Sequence, residues 1–84
     1  MPPRRSKDQL IARILEICLQ ADSSKTRIVY QANLNFNTIN SYLELLTRKG
    51  FLEASSDKYP TYKTTPNGRR ALESLRVIEA IIMD

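Results

Sequence analysis

The sequence predicts a mainly helical α+β fold with three helices, a β-hairpin and a long C-terminal helix. Apolar residues recur at helical spacing in four segments, and polar residues that favour helix caps separate those segments. Two short runs rich in β-forming residues flank a polar loop between the third and fourth helical segments. With only 84 residues, the chain is expected to form one domain over residues 6–84, preceded by a flexible basic arm over residues 1–5.

The first helix is predicted to begin after Ser6. Ser6 and Gln9 have the spacing of a capping box, in which each side chain accepts a hydrogen bond from the other residue's backbone. Apolar residues then follow at helical spacing as far as Leu19, so the helix is expected to end near Ala21. Residues 22–24 are polar and predict a turn, in which a serine caps the next helix.

Two short helices joined by a brief turn are predicted next, which is typical of a helix-turn-helix. The first covers residues 25–32, and residues 33–34 make the turn. Asn35 is expected to cap the following helix, and Gly50 to end it in the left-handed conformation. The inward face of this third helix is predicted to carry Phe36, Ile39, Leu43 and Leu46.

The remaining elements are a β-hairpin and a fourth helix. Residues 51–53 and 61–64 are rich in β-forming residues, and a polar loop separates them. Thr65 before Pro66 supplies a cap and a favoured first residue for a helix over residues 66–83. Gly68 lies in the first turn, where glycine is unfavourable, and is therefore expected to permit close packing against the hairpin.

Residues 25–36 read Lys-Thr-Arg-Ile-Val-Tyr-Gln-Ala-Asn-Leu-Asn-Phe and resemble the opening of archaeal winged helix-turn-helix transcriptional regulators. The resemblance covers residues 10–75, and its further motifs are Tyr42-Leu43, Lys49-Gly50-Phe51-Leu52-Glu53, Tyr62-Lys63-Thr64-Thr65 and Gly68. It implies that the third helix enters the major groove of DNA, and that the hairpin, as a wing, touches the backbone or the minor groove. It also implies pairing of two chains, because related archaeal proteins pair through an extended C-terminal helix.

The outward face of the third helix is the predicted reading face for double-stranded DNA. Asparagine can pair with adenine through two hydrogen bonds, and serine and threonine can reach any base. A solvated polar face, which any surface helix has, is the alternative. Glu44 is expected to lie beyond the groove or to pair with Arg48. The candidate residues on and beside this helix are Asn35, Asn37, Thr38, Asn40, Ser41 and Arg48.

Charge distribution adds candidates for phosphate contacts. The net charge is +4, and Asp22 is the only acidic residue between Ile17 and Leu43, so this stretch is positive or neutral. For these candidates, ordinary solvated charges and a solvated turn are the alternatives. Arg4, Arg5 and Lys7 either follow the minor groove, as basic arms do, or keep the chain soluble. The candidates are Lys25, Thr26 and Arg27 on the second helix and Lys58, Tyr59 and Lys63 on the hairpin.

The end of the fourth helix carries more apolar surface than a small core can cover. A partner helix would bury it, which predicts a homodimer. Packing against the first helix of the same chain is the alternative. The residues concerned are Leu75, Val77, Ile78, Ile81 and Ile82.

Several classes of site are excluded. The sequence has no histidine and one cysteine, Cys18, which is predicted to be a buried structural thiol. Without a phosphate-cradling glycine loop or paired carboxylates, no enzymatic activity, metal or cofactor is expected. The first residues lack the apolar stretch of a signal peptide, which predicts a cytoplasmic, nucleoid-associated protein with no membrane partner.

These features together favour a homodimeric, sequence-specific regulator of transcription that performs no chemistry of its own. Two alternatives stay open. A low-specificity chromatin or architectural protein would bind DNA with an affinity that falls steeply with salt but does not depend on sequence. A winged-helix protein-interaction module would bind no DNA even at low salt.

Overall fold

The computed structural model describes residues 6–82, except for the side chain of Ile82. The predicted basic arm and residues 83–84, including the last residue of the predicted fourth helix, lie outside this range. The described residues confirm the mainly helical α+β fold. Their elements in chain order are α1 (Lys7–Gln20), β1 (Ser23–Ser24), α2 (Lys25–Ala32), α3 (Phe36–Arg48), β2 (Leu52–Ala54), β3 (Thr61–Thr64) and α4 (Pro66–Ile82).

Strand β1 lies where the sequence predicts only a turn. Ser23 pairs with Tyr62 and Ser24 pairs with Thr61, so the hairpin becomes a three-stranded antiparallel sheet in the order β1-β3-β2. The strand consists of two serines, so it lacks the alternation of apolar and polar residues that indicates a strand in a sequence. Ser24 also caps α2 as predicted, because its hydroxyl accepts a hydrogen bond from the Arg27 backbone N–H at 3.2 Å.

Helix boundaries follow from local hydrogen bonds that the sequence predicts. The Ser6 hydroxyl accepts from the Gln9 N–H at 3.1 Å, and the Gln9 side chain accepts from the Ser6 N–H at 2.9 Å, which completes the capping box. Asn35 Oδ1 accepts from the Thr38 N–H at 2.8 Å and begins α3. Gly50 follows α3 with a φ of +79°, the left-handed conformation predicted for it.

Helix α1 lies at the centre of the core and packs against α2, α4 and β3. The buried Thr64 hydroxyl on β3 donates to the Leu15 carbonyl at 2.7 Å and fixes the sheet against α1. Cys18 is buried as predicted, and desolvation, followed by the nearby Asp22 carboxylate, raises its thiol pKa to about 12. The thiol therefore stays protonated and unreactive at neutral pH.

The prediction that Phe36 points inward is wrong, because its side chain is 50% exposed. Phe36 is the first residue of α3 and lies at the margin of its apolar face. Leu34, just before the cap, packs against the core instead, and Ile39 one turn into the helix is fully buried. This pair has the spacing of a hydrophobic staple, so the start of α3 is held to the core without Phe36.

The start of α4 packs closely against the hairpin, as the glycine at position 68 predicts. The Thr65 hydroxyl accepts from the Gly68 N–H at 3.0 Å and donates to the Gly50 carbonyl at 2.6 Å. A methyl group at Gly68 would collide with the Phe51 carbonyl oxygen and lie 2.8 Å from the Thr64 methyl. Only glycine fits this position without a shift of the backbone.

Candidate nucleic-acid interface

One face of α3 is polar and exposed, and the opposite face is buried in the core. Ile39, Leu43 and Leu46 hold the helix to the core. Thr38 is half-buried at the margin of the polar face. The exposed polar side chains are Asn37, Asn40, Ser41, Glu44, Thr47 and Arg48.

An open groove of about 570 Å³ separates α3 from the wing, which comprises β2, β3 and the loop between them. We call it the wing groove. In the sheet, Ala54 and Tyr62 are cross-strand partners, and they form the wall opposite α3. Polar groups therefore line the α3 side, and a small side chain and an aromatic ring line the other. Besides Leu43, the side chains of α3 that line the groove are polar: Asn40, Glu44, Thr47 and Arg48.

Of the two expectations for Glu44, a place beyond the DNA groove or a pair with Arg48, the pair is not formed, because among residues 6–82 no ion pair joins these two side chains. Both are exposed and line the wing groove. The Arg48 guanidinium therefore keeps its hydrogen-bond donors available to an anion in this groove.

A second depression lies on the other side of the reading face. Thr38 and Ser41 of α3 line it together with Lys7, the first residue of α1. The candidate readers are thus divided between two grooves, with Asn40 towards the wing and Ser41 towards α1. The position of Lys7 beside α3 depends on the packing of α1 against the rest of the fold, and nothing in the local sequence indicates it.

The first turn of α2 contains two basic residues and no acidic residue. Thr26 and Arg27 are exposed and Lys25 is half-buried. These side chains lie on the helix that precedes α3, where a helix-turn-helix contacts phosphates.

The wing carries its candidate residues in two different places. Lys58 and Tyr59 are exposed in the loop, with the Lys58 ammonium 5.7 Å from the centre of the Tyr59 ring. Lys63 is the cross-strand partner of Glu53 and points to the sheet face opposite the wing groove. There it lines a depression with Glu53 and Asp22, so it is not brought together with α3.

The two halves of α4 differ in their surroundings. Leu72 is buried, and Leu75 is half-buried against the core. Val77, Ile78 and Ile81 are exposed, with Ile81 at 73%. The first half of α4 therefore packs on the core, and the second half leaves apolar side chains uncovered.

A chain of polar contacts connects α4 to α2 across α1. The Arg76 guanidinium on α4 pairs with the Glu16 carboxylate on α1. Arg13 Nη1 donates to Glu16 at 2.8 Å, and Arg13 Nη2 donates to the Gln31 carbonyl at 3.4 Å. Because these groups are partly exposed, solvent screens the ion pairs, and their role is to orient the helices more than to stabilise them.

Neither a metal site nor a membrane span is found within the described range. Residues 6–82 contain no group of three histidine, cysteine or acidic side chains that could hold a metal ion. The helices of this range are too short or too polar to cross a membrane.

Comparison with known proteins places this geometry in context. Residues 4–83 match the winged helix-turn-helix family. An uncharacterized protein of Methanocaldococcus jannaschii, MJ0287, is 32% identical over 72 residues, which make up 86% of this chain and 71% of the relative. The resemblance to archaeal winged helix-turn-helix proteins is thus confirmed.

Two solved structures from Sulfolobus solfataricus share the fold. Sso10a-2, a DNA-binding protein, superposes with a TM-score of 0.88 at 22% identity over 94% of this chain and 83% of its own. The transcriptional regulator BldR superposes with a TM-score of 0.74 at 18% identity over 89% of this chain and 60% of its own. Family membership also agrees with the expectation that the protein is not an enzyme. The chain belongs to the winged helix-turn-helix family.

Proposed function

We propose that the protein binds double-stranded DNA sequence-specifically and regulates transcription, with α3 in the major groove. The observation that carries this proposal is the exposed polar face of α3, which stands between two grooves with cations at their edges. In a helix-turn-helix, the second helix of the motif reads base edges while the first crosses the backbone. Sso10a-2 and BldR are described as a DNA-binding protein and a transcriptional regulator, which supports this reading of the fold.

Each candidate residue has a distinct role in this proposal. Base edges are contacted by Asn37, Asn40 and Ser41, whose side chains are short, polar and exposed. Thr38 at the margin reaches a base or a sugar. Asn35 acts indirectly, because its side-chain oxygen is held by the cap and orients the start of α3.

Phosphates are contacted from three directions. Lys25, Thr26 and Arg27 approach from the start of α2, and Arg48 approaches from the wing groove. The wing loop adds the Lys58 ammonium and the Tyr59 hydroxyl. Lys63 faces Glu53 and Asp22, so its contribution is expected to be the smallest of the group. The phosphate contacts are Lys25, Thr26, Arg27, Arg48, Lys58, Tyr59 and Lys63.

A homodimer through the second half of α4 completes the proposal. Val77, Ile78 and Ile81 are exposed apolar side chains at helical spacing, and a second copy of α4 would remove them from water. Leu75 and Ile82 extend the same apolar series in the sequence. Two copies would place two α3 helices on one duplex, which predicts a palindromic site.

Asn37→Ala and Asn40→Ala should each weaken binding to the preferred DNA site. Loss of one bidentate contact corresponds to about 1–3 kcal/mol, or roughly 5- to 150-fold in affinity, and should relax the preference at one base pair. The measurement is selection of bound sequences from a random duplex pool, followed by titration of each variant on the selected site. Asn67→Ala, which removes an exposed asparagine on α4, is the matched control and should bind as the unaltered protein does.

Three outcomes separate the functional classes. An enriched site whose affinity is unchanged in both asparagine variants contradicts the assigned reading face. Binding that falls steeply with salt but shows no sequence preference indicates an architectural protein instead. No binding to any duplex at low salt rejects the proposal and favours a protein-interaction module.

The double variant Ile78→Glu and Ile81→Glu should convert the dimer to a monomer, because two buried carboxylates would oppose association. Sedimentation equilibrium should give twice the 9.7 kDa chain mass for the unaltered protein and the single mass for the variant. The control is Gln20→Glu with Ser56→Glu, which makes the same number of acidic substitutions at exposed positions outside α4. A monomer before any substitution rejects the dimer.

A further inference from the structure

Phe36 is a large apolar side chain in a position where the fold does not need one. It is half exposed and is not among the partly buried side chains that pack on the core. Leu34 and Ile39 already provide the apolar contacts at this end of α3. Its ring is therefore free to contact DNA if the start of α3 enters the major groove, as in a helix-turn-helix.

Helical spacing places Phe36 next to the proposed base readers. Asn40 lies one turn further along α3 on the same side of the helix, and Asn37 follows Phe36 directly. Both asparagines are exposed. The first turn of a recognition helix is the part that reaches base edges in a helix-turn-helix. A partner that meets the asparagines therefore also meets the phenylalanine ring.

The major groove presents one prominent apolar group, the C5-methyl of thymine. The other groups on its base edges are hydrogen-bond donors and acceptors, which a phenyl ring cannot satisfy. An adjacent asparagine that pairs with adenine selects an A·T pair, which brings a thymine methyl to the same edge. The chemistry of Phe36 and of its asparagine neighbours thus favours the same class of base pair.

We propose that Phe36 determines specificity by packing its ring against a thymine methyl group in the major groove. The inference rests on the proposed function and adds an apolar contact to the polar reading face. It assigns to Phe36 recognition of the thymine in the A·T pair whose adenine is read by Asn37 or Asn40.

The test replaces, one at a time, each thymine of the selected site by deoxyuridine, which lacks only the methyl group. For the unaltered protein, the replacement of one particular thymine in each half-site should weaken binding about fourfold, the effect of losing the burial of one methyl group. Phe36→Ala should weaken binding to the thymine site and should no longer distinguish thymine from deoxyuridine at that position. Combining Phe36→Ala in the protein with deoxyuridine in the DNA completes a double-mutant cycle. The loss of discrimination in that cycle measures the coupling between the ring and the methyl group.

Two further Phe36 variants and one control test whether the loss of the apolar contact itself causes the effect. Phe36→Gln keeps a long side chain and removes the apolar contact, so it should behave as Phe36→Ala, and it serves if the alanine variant does not fold. Phe36→Leu should retain part of the discrimination. Tyr30→Ala, which removes another exposed aromatic side chain from α2, is the matched control and should keep the full deoxyuridine effect.

The outcomes distinguish this inference from the proposed function. Equal deoxyuridine sensitivity in the unaltered protein and the Phe36 variants overturns the role of Phe36, and so does insensitivity at every thymine of the site. In either case the asparagine variants can still show loss of specificity, which leaves the proposed function intact. Absence of any preferred site overturns both.

Discussion

Replacing Gly68 with alanine should lower the free energy of unfolding by about 3 kcal/mol, the upper part of the range for overpacking. Alanine is the better helix former by about 1 kcal/mol, so helix propensity alone predicts the opposite sign. Steric contact outweighs it, because the added methyl group would collide with the Phe51 carbonyl oxygen, which also accepts the Thr65 N–H at 3.0 Å. A backbone carbonyl cannot move aside without disturbing the start of α4.

Urea denaturation followed by circular dichroism measures this change. Asn67→Ala, one position earlier in the same turn and exposed, is the control and should change stability by less than about 0.5 kcal/mol. A Gly68→Ala variant that is as stable as the unaltered protein, or more stable, would show that α4 can move away from the hairpin. The close approach of α4 to Phe51 would then not be a fixed feature of the fold.

Local signals account for the elements that the sequence predicts well. The capping box at Ser6, the Asn35 cap and the left-handed Gly50 each depend on residues within one turn, so their spacing is visible in the chain. Strand β1 depends on Ser23 and Ser24 meeting residues 61–62, almost 40 positions away. No local pattern indicates such a pairing.

The candidate site also contains residues whose surroundings follow from local sequence and residues whose surroundings depend on distant pairing. The polar face of α3 follows from helical period, so Asn37, Asn40 and Ser41 are exposed as expected. The surroundings of Lys63 follow from strand register, which sets it beside Glu53 on the face away from the wing groove. Helical period predicts Phe36 on the inward face, but Phe36 lies at the margin of that face in the first turn and is half exposed, while Leu34 packs on the core.

Leu46→Ala, a truncation on the buried face of the reading helix, should lower the free energy of unfolding by about 2–5 kcal/mol. Leu46 is 1% exposed, so the substitution removes buried methyl groups and leaves a cavity beside the core. Each kcal/mol corresponds to a fall of about 4–8 °C in Tm for a domain of this size. Thermal denaturation therefore resolves the effect readily.

Leu19→Ala is the matched control, because Leu19 is also helical but 43% exposed, and its truncation should cost less than about 1 kcal/mol. Below its melting transition, Leu46→Ala should bind DNA with unchanged sequence preference, since the altered side chain lies on the face of α3 opposite the proposed readers. Equal losses for the two leucines would contradict the core assignment. Altered preference in folded Leu46→Ala would instead show that the buried face positions the reading face, because the two faces share one rigid helix.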